Sequence, residues 1–262
     1  MSIPTEPVAA PDVVRRLAGA DRVVPVWANE LGGLTFRLDP VSDAVPVSEA
    51  NGTRRARYVK WRLLSAAHPG EADLADEAAR LAWAASYTPV PRVLEHGRDD
   101  DSEWLVTEAI DARTAVDPRW IAAPQTAVRA IGVALRALHD ALPVADCPFT
   151  WSVEERVARV LPEKADPGTL ARLADAPDLV GPVVCHGDAC APNTLLHDDG
   201  TWAAHVDLGR LGVADPWADL SVAALSTVWN YGPGYEHLVY ESYGIDPDPD
   251  RIAYYRLLWD AT

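Results

Sequence analysis

Between Val183 and Leu220 the chain reads VVCHGDACAPNTLLHDDGTWAAHVDLGRLGVADPWADL. Within it, His186-Gly187-Asp188 is followed five residues later by Asn193, and Asp207 opens an Asp-Leu-Gly triplet after a strand–turn–strand pattern. Phosphoryl transfer needs this set of groups. One carboxylate orients the attacking hydroxyl and takes its proton, while a second carboxylate and an amide oxygen hold hard Mg²⁺ against nucleotide phosphates. A lone Asp or Asn in a loop is ordinarily a turn former. The joint pattern H-x-D-x-x-x-x-N, ahead of a hairpin that ends in D-x-G, is far more demanding. It predicts that Asp188, Asn193 and Asp207 converge on one cleft as the two carboxylates and the amide that this chemistry requires.

The upstream sequence offers an independent check. Phosphate binding of this kind needs a strand lysine held by a helix glutamate. Lys60 sits mid-strand in Tyr-Val-Lys-Trp and is one of only two lysines, against 21 arginines. Glu77 falls on the apolar side of its helix, three residues after Leu74 and four before Leu81, whereas a solvated glutamate belongs on the opposite face.

The elements that must position these residues are legible as patterns. Val23–Trp27 and Thr35–Leu38 are β-prone runs around Asn-Glu-Leu-Gly-Gly, a hairpin signal, and Arg57–Leu63 alternates as a third strand. Glu71–Ala85 reads as a helix, with Leu74, Ala78, Leu81 and Ala85 on one face. Arg92–His96 and Glu103–Thr107 are two more strands, joined by Asp99-Asp100-Asp101. Beyond them Val128, Ile131, Leu135, Leu138 and Leu142 form an amphipathic stripe that Pro143 ends. Short strands follow at Val183–Cys185, Thr194–His197 and Trp202–Val206, then helices around Pro216–Trp229, Tyr235–Tyr243 and Pro249–Trp259. The chain is therefore expected to be α+β: a small antiparallel-sheet lobe with one key helix over residues 1–109, then a larger, mainly helical lobe over 110–262.

Composition narrows the partners. The 262 residues carry a formal charge of −16, which argues against a nucleic-acid backbone and suits a cationic ligand. There are 12 basic and 17 acidic residues up to Ala109, and 11 basic and 22 acidic beyond it, so the acid excess falls mainly in the helical lobe. No apolar run approaches the ~18 residues of a bilayer span, and the first residues lack a signal-peptide pattern, so a cytoplasmic protein with no membrane partner is expected. Three cysteines are too few for a disulfide scaffold. The crowding of Cys185, His186, Asp188 and Cys190 suggests zinc, but a second separated ligand pair is missing and the thiols read as buried and inert. P-loop, dinucleotide-fingerprint, nucleophile-elbow and H-E-x-x-H motifs are absent.

The chain resembles the aminoglycoside phosphotransferases, which have a bilobal protein-kinase-like fold, and within them the 3′ and 3″ branches. The resemblance rests on VVCHGDACAPN, HVDLGRLGVADPWADL, Asp146-Cys147-Pro148-Phe149 and Tyr243-Gly244-Ile245, and runs from about Trp27 to the C-terminus. It implies ATP as phosphoryl donor, with GTP possible, together with Mg²⁺. The acceptor implied is a hydroxyl of a small cationic aminoglycoside, so that the enzyme would confer antibiotic resistance. Carried over by position, Asp188 is the catalytic carboxylate, Asn193 and Asp207 hold Mg²⁺, Lys60 contacts phosphates and Glu77 fixes Lys60. The Asn29–Thr35 turn, with Gly32 and Gly33, covers the phosphates, and the Thr107 carbonyl and Ala109 amide bind adenine. Arg210, Asp260 and the Thr262 carboxylate face the acceptor. Asp219 anchors the catalytic loop rather than acting in catalysis. A monomer or weak dimer is expected.

The departures concern the acceptor. Only 36 residues separate Phe149 from His186, where the family carries a longer helical insertion with an acidic lid, and Glu154, Glu155, Glu163, Asp166, Asp175 and Asp178 are the substitutes at hand. Pro216 follows Ala214-Asp215 where the 3′ branch has Arg or Lys, and Trp259 stands where an acid is common. A kinase for another polar small molecule or antibiotic is the alternative, followed by a nucleotide-binding pseudokinase. A protein-kinase role is disfavoured because Asp-Leu-Gly leads straight into Arg-Leu-Gly-Val-Ala-Asp, with no activation-loop length.

Overall fold

The computed structural model describes residues 8–29, 32–41, 55–66, 73–179 and 181–262, which divide into two compact units. The first joins Met1–Ala82 to Pro91–Ile110 and the second joins Trp83–Val90 to Asp111–Thr262. The division crosses the chain after Ala82, inside a helix, after Val90 and after Ile110, the last one residue beyond the boundary expected after Ala109. Trp83 goes with the second unit because its ring meets Phe149 edge-on at 6.0 Å.

The first unit begins with α1 (Asp12–Ala18), a helix that the Ala- and Pro-rich start conceals from sequence reading. Val13 and Val14 on α1 are buried, and Gly19 closes it at φ 59°. The strands β1 (Arg22–Ala28), β2 (Leu34–Asp39), β3 (Arg57–Leu63), β4 (Val93–Arg98) and β5 (Ser102–Glu108) form one antiparallel sheet in the order β1-β2-β3-β5-β4. Alternation along β2 and β3 sends Phe36, Leu38 and Val59 to one face, where they pack with Val13, Val14, Trp104 and Val106. Arg57 ties α1 to that sheet, donating to the Leu17 carbonyl at 3.1 Å and to Asp21 at 2.8 Å. The helix α2 (Leu74–Ala84) lies between β3 and β4 in sequence; Leu74, Ala78, Leu81 and Ala84 are buried, and so is Glu77.

The second unit opens with the short strand β6 (Arg113–Thr114) and the single-turn α3 (Pro118–Ile121). It is built on α4 (Pro124–Ala141), whose stripe of Val128, Ile131, Leu135 and Leu138 is wholly buried, so truncating one of these to Ala costs about 2–5 kcal/mol. Two short helices, α5 (Val153–Val157) and α6 (Pro167–Ala174), occupy the shortened segment. Then come β7 (Val183–Cys185), β8 (Thr194–Leu196), β9 (Trp202–His205) and β10 (Gly212–Ala214), followed by α7 (Trp217–Tyr231), α8 (Glu236–Tyr243) and α9 (Pro249–Ala261). β8 pairs with β6 and β9, while β7 pairs with β10, a strand that Gly-Val-Ala is too short to announce in sequence. Gly132 on α4 lets α8 approach closely, since a Cβ there would fall 2.5 Å from the Val239 carbonyl. No helix among the described residues is long and apolar enough to cross a membrane.

β9 ends on His205, which is 1% exposed and packed edge-on against His186 at 5.3 Å. Burial, reinforced by the charge of His186, pushes its imidazole down to about 3. The unfolded chain takes a proton near pH 6.5, which the folded chain refuses until about pH 3. Stability from this group is therefore present above about pH 6.5 and is lost as pH falls, by at most ~1.4 kcal/mol per pH unit. Urea unfolding at about pH 7 and pH 5 should show that loss, and His205→Phe should shrink it by ~1–2 kcal/mol.

Candidate active site

In the first unit Lys60 projects from the middle of β3, and α2 brings Glu77 to it: Nζ donates to Oε1 at 2.7 Å and to Oε2 at 2.9 Å. Glu77 is almost fully buried and Lys60 keeps 27% of its side chain exposed. The carboxylate thus fixes an ammonium that still has a path to a ligand. The turn between β1 and β2 closes through Asn29, which donates its N–H to the Gly33 carbonyl at 2.9 Å and accepts from the Gly33 N–H through Oδ1 at 2.6 Å. Gly32 stands at φ 84° and is exposed. Glu30 and Leu31 of the same turn lie outside the described residues.

The adenine-reading expectation meets a different arrangement. Thr107 lies in β5 opposite Tyr58, and the ladder continues one residue beyond the strand, so the Ala109 N–H donates to the Ala56 carbonyl at 2.9 Å. Strand pairing therefore occupies the donor that sequence reasoning reserved for adenine.

In the second unit the loop after β7 is shaped from beneath by Asp219 in the first turn of α7. Its Oδ2 accepts from the His186 N–H at 2.6 Å and its Oδ1 from the Gly187 N–H at 2.9 Å. His139 on α4 approaches the same carboxylate through Nε2 at 3.0 Å, and its Nδ1 lies 2.9 Å from the Tyr243 hydroxyl. Burial alone would raise the Asp219 carboxyl, but His139 and the Gly187 amide outweigh it and hold it below the usual range. Gly187 is obligatory: it sits at φ 81°, and a Cβ would lie 2.1 Å from the Arg210 carbonyl oxygen.

The same loop brings together the three residues expected from spacing. His186 Nδ1 accepts from the Asp188 N–H at 3.3 Å, which leaves Nε2 to donate to the Val206 carbonyl at 3.0 Å and so ties the loop to the residue before Asp207. Asn193 donates through Nδ2 to the Asp188 carbonyl at 3.0 Å, and its own carbonyl accepts from the Val206 N–H at 3.0 Å. The amide oxygen of Asn193 is thereby turned away from its own loop's donors. Asp207 adopts φ 63°, the one left-handed non-glycine among the described residues, a conformation that costs on the order of 1–3 kcal/mol and persists where surrounding structure imposes it.

Asp188 is half-buried, and its Oδ1 is shut off from solvent without a hydrogen-bond partner. Burial, then the charge of Asp207, raises its carboxyl above the ordinary range, opposed by Arg210, His186 and the Cys190 thiol. An orphaned carboxylate oxygen beside a second carboxylate and an amide oxygen is a hard, anionic donor set, which fits Mg²⁺. Burial raises the thiols of Cys185 and Cys190 and keeps them protonated, as read from sequence.

The expected acceptor residues are placed less uniformly. The Arg210 guanidinium lies 5.8 Å from the Trp259 ring centroid. Thr262 Oγ1 donates to the Leu258 carbonyl at 2.9 Å and accepts from Arg156 at 2.7 Å. Asp260 is exposed and is held by Lys164, whose Nζ donates to Oδ2 at 3.0 Å and to the Asp260 carbonyl at 2.9 Å. Sequence reasoning weighed only the acids of the 150–185 segment and missed Arg156, because a helical arginine gives no sign in sequence that it is buried.

Comparison with known proteins follows the same lines. Residues 46–255 match the model of the phosphotransferase enzyme family. The chain is 38% identical over 214 residues to an aminoglycoside 3′-phosphotransferase of Streptomyces fradiae, covering 71% of this chain and 78% of that protein. It is 35% identical over 265 residues to a streptomycin 3″-kinase of Streptomyces griseus, covering 88% of each. Among solved structures, aminoglycoside phosphotransferase APH(3″)-Id from Streptomyces rimosus, in complex with ADP and streptomycin, superposes with a TM-score of 0.68 at 29% identity, covering 95% of both chains.

Asp188→Asn should lower kcat for phosphoryl transfer by about 10²–10⁴-fold while ADP affinity, measured by calorimetry, stays within about threefold of the unsubstituted chain. Lys60→Ala should instead raise KM for the nucleotide by about tenfold or more, with the acceptor KM little changed.

Proposed function

From the premise that the chain belongs to the phosphotransferase enzyme family, and within it to the aminoglycoside phosphotransferases, small-molecule kinases with a protein-kinase-like fold, we propose that it transfers the γ-phosphoryl group of ATP to a 3′ or 3″ hydroxyl of an aminoglycoside antibiotic and so confers resistance. The observation that carries this reading is the unpartnered Oδ1 of Asp188 on a loop shared with Asn193, two residues past His186, whose imidazole contacts the residue before Asp207. The names of the relatives and the ADP and streptomycin bound to the Streptomyces rimosus enzyme support the donor and acceptor classes.

In this mechanism Asp188 orients the acceptor hydroxyl for in-line attack and takes its proton as the new P–O bond forms and the bond from the γ-phosphorus to the β–γ bridging oxygen breaks, releasing ADP. Its raised proton affinity suits a base that must bind a proton transiently. Lys60, fixed by Glu77, holds the nucleotide phosphates. Asn193 and Asp207 would hold Mg²⁺, which when bound neutralises charge on the phosphate oxygens. The acid excess of the second unit draws a polycationic acceptor towards the protein.

A coupled ADP-release assay should show turnover with kanamycin-, neomycin- or streptomycin-type acceptors and none with macrolide or cyclic-peptide antibiotics. Activity confined to the macrolides and cyclic peptides, or absent throughout, would overturn the aminoglycoside assignment.

A further inference from the structure

The shortened segment ahead of His186 delivers a cation, not an acid, to the last turn of α9. Leu161 donates its N–H to the Ala261 carbonyl at 2.9 Å, and the single turn Pro162–Lys164 follows directly. That turn carries the Lys164 amine onto Asp260, where Nζ donates to Oδ2 at 3.0 Å and to the main-chain carbonyl at 2.9 Å. Two acids of the same segment are engaged within it. Asp166 caps α6, accepting from the Gly168 and Thr169 amides at 2.9 and 3.1 Å, and Glu154 accepts from the Ser152 hydroxyl at 2.9 Å.

Asp260 borders the catalytic loop through its neighbours. The Arg210 guanidinium lies 5.8 Å from the ring of Trp259, one residue before Asp260. The Arg210 main chain abuts Gly187, since a Cβ there would fall 2.1 Å from its carbonyl oxygen, and Asp188 comes next in the chain. Asp260 is 72% exposed and Lys164 38%, so a dissolved ammonium can reach the carboxylate and exchange with the lysine. An ion pair this exposed is weak, and the exchange costs little. The residue type also matters, in a chain with two lysines and 21 arginines. An arginine would grip a carboxylate with a planar fork, whereas a lysine ammonium is a compact point charge of the same kind as a protonated amine on a sugar.

We propose that Lys164 is a specificity-determining residue: it fills the Asp260 carboxylate with an internal ammonium that an acceptor amine has to displace. The proposal rests on the aminoglycoside reading above and deepens it. An acceptor with an amine at this position swaps one ammonium for another and gains little. An acceptor with a hydroxyl there leaves the lysine in place and loses little. Lys164 therefore levels acceptors that differ by one amine at this position, and without it Asp260 becomes an unpaired anion that separates them.

Steady-state kinetics with two pairs of acceptors test this. Neomycin and paromomycin differ only in an amine or a hydroxyl at one carbon, and so do kanamycin B and kanamycin A. In at least one pair, Lys164→Met should raise kcat/KM for the amine-bearing member over its hydroxyl partner by about threefold, through a lower KM. Lys164→Arg, which keeps the charge, should not, and the gain should vanish in an Asp260→Asn background. Independently of the Lys164 variants, the chain labelled with ¹³Cε-lysine has only two lysine signals. Saturation with neomycin or kanamycin B, without nucleotide, should move the Lys164 signal towards its position in Asp260→Asn. Ratios unchanged in both pairs, a KM that rises in Lys164→Met, a gain that persists with Asp260→Asn, or a Lys164 signal unmoved by either saturating acceptor would overturn the proposal. Each of these leaves the aminoglycoside assignment standing while the unsubstituted chain turns the acceptors over. Turnover of none of the four would overturn both.

Discussion

The candidate site hangs on one buried carboxylate that fixes the backbone of the loop carrying Asp188. Asp219 lies at the start of α7 and accepts from two successive amides of the loop after β7 and from an imidazole on α4. A fully buried acid is costly unless its oxygens are satisfied, and here three donors from two distant stretches of chain satisfy it. The arrangement works in both directions. His139 and the loop amides keep Asp219 ionised, and the ionised Asp219 dictates where the loop backbone runs. Gly187 is then forced into a conformation that only glycine tolerates against Arg210, and Asp188 follows in the place that this turn defines. Every distance in the candidate site inherits this constraint.

The two units present their chemistry in contrasting ways. In the first, a strand lysine and a helix glutamate satisfy each other by direct ion pairing, with the acid buried and the amine partly open. In the second, the working groups are held chiefly by their backbones. Asn193 and His186 are engaged through one polar atom each with the Asp188 main chain, and Asp207 is held in a left-handed conformation. Strain and incomplete satisfaction gather where charge must later be received, as expected of a preorganised site.

Much of this was legible in sequence, for identifiable reasons. Asp188, Asn193 and Asp207 are close in the chain, and the hairpin between them has a recognisable turn, so spacing alone brings them near one another. Lys60 and Glu77 were found because each violates an expectation, a lysine in an otherwise arginine-rich chain and an acid on an apolar helix face. The anchoring role of Asp219 came from family resemblance, whereas its partner His139 was silent, being a single polar residue on a helix defined by its apolar stripe. Arg156 was likewise hidden, because its burial depends on Trp151 and on the end of α9, 106 residues away. The Ala109 amide, placed by resemblance, makes a local ladder bond that no motif records.

The scarcity of lysine has a consequence for reagents. The chain has two side-chain amines, Lys60 and Lys164, and the second is held by Asp260 in the second unit. In the first unit, acylating, carbamylating or aldehyde reagents meet a single side-chain amine, and that amine is the one beside Glu77. Its partial exposure admits a small electrophile, while the arginines that carry the rest of the positive charge do not acylate under the same mild conditions. Covalent labelling of the first unit at lysine is therefore labelling of the amine beside Glu77, without any need for a designed handle.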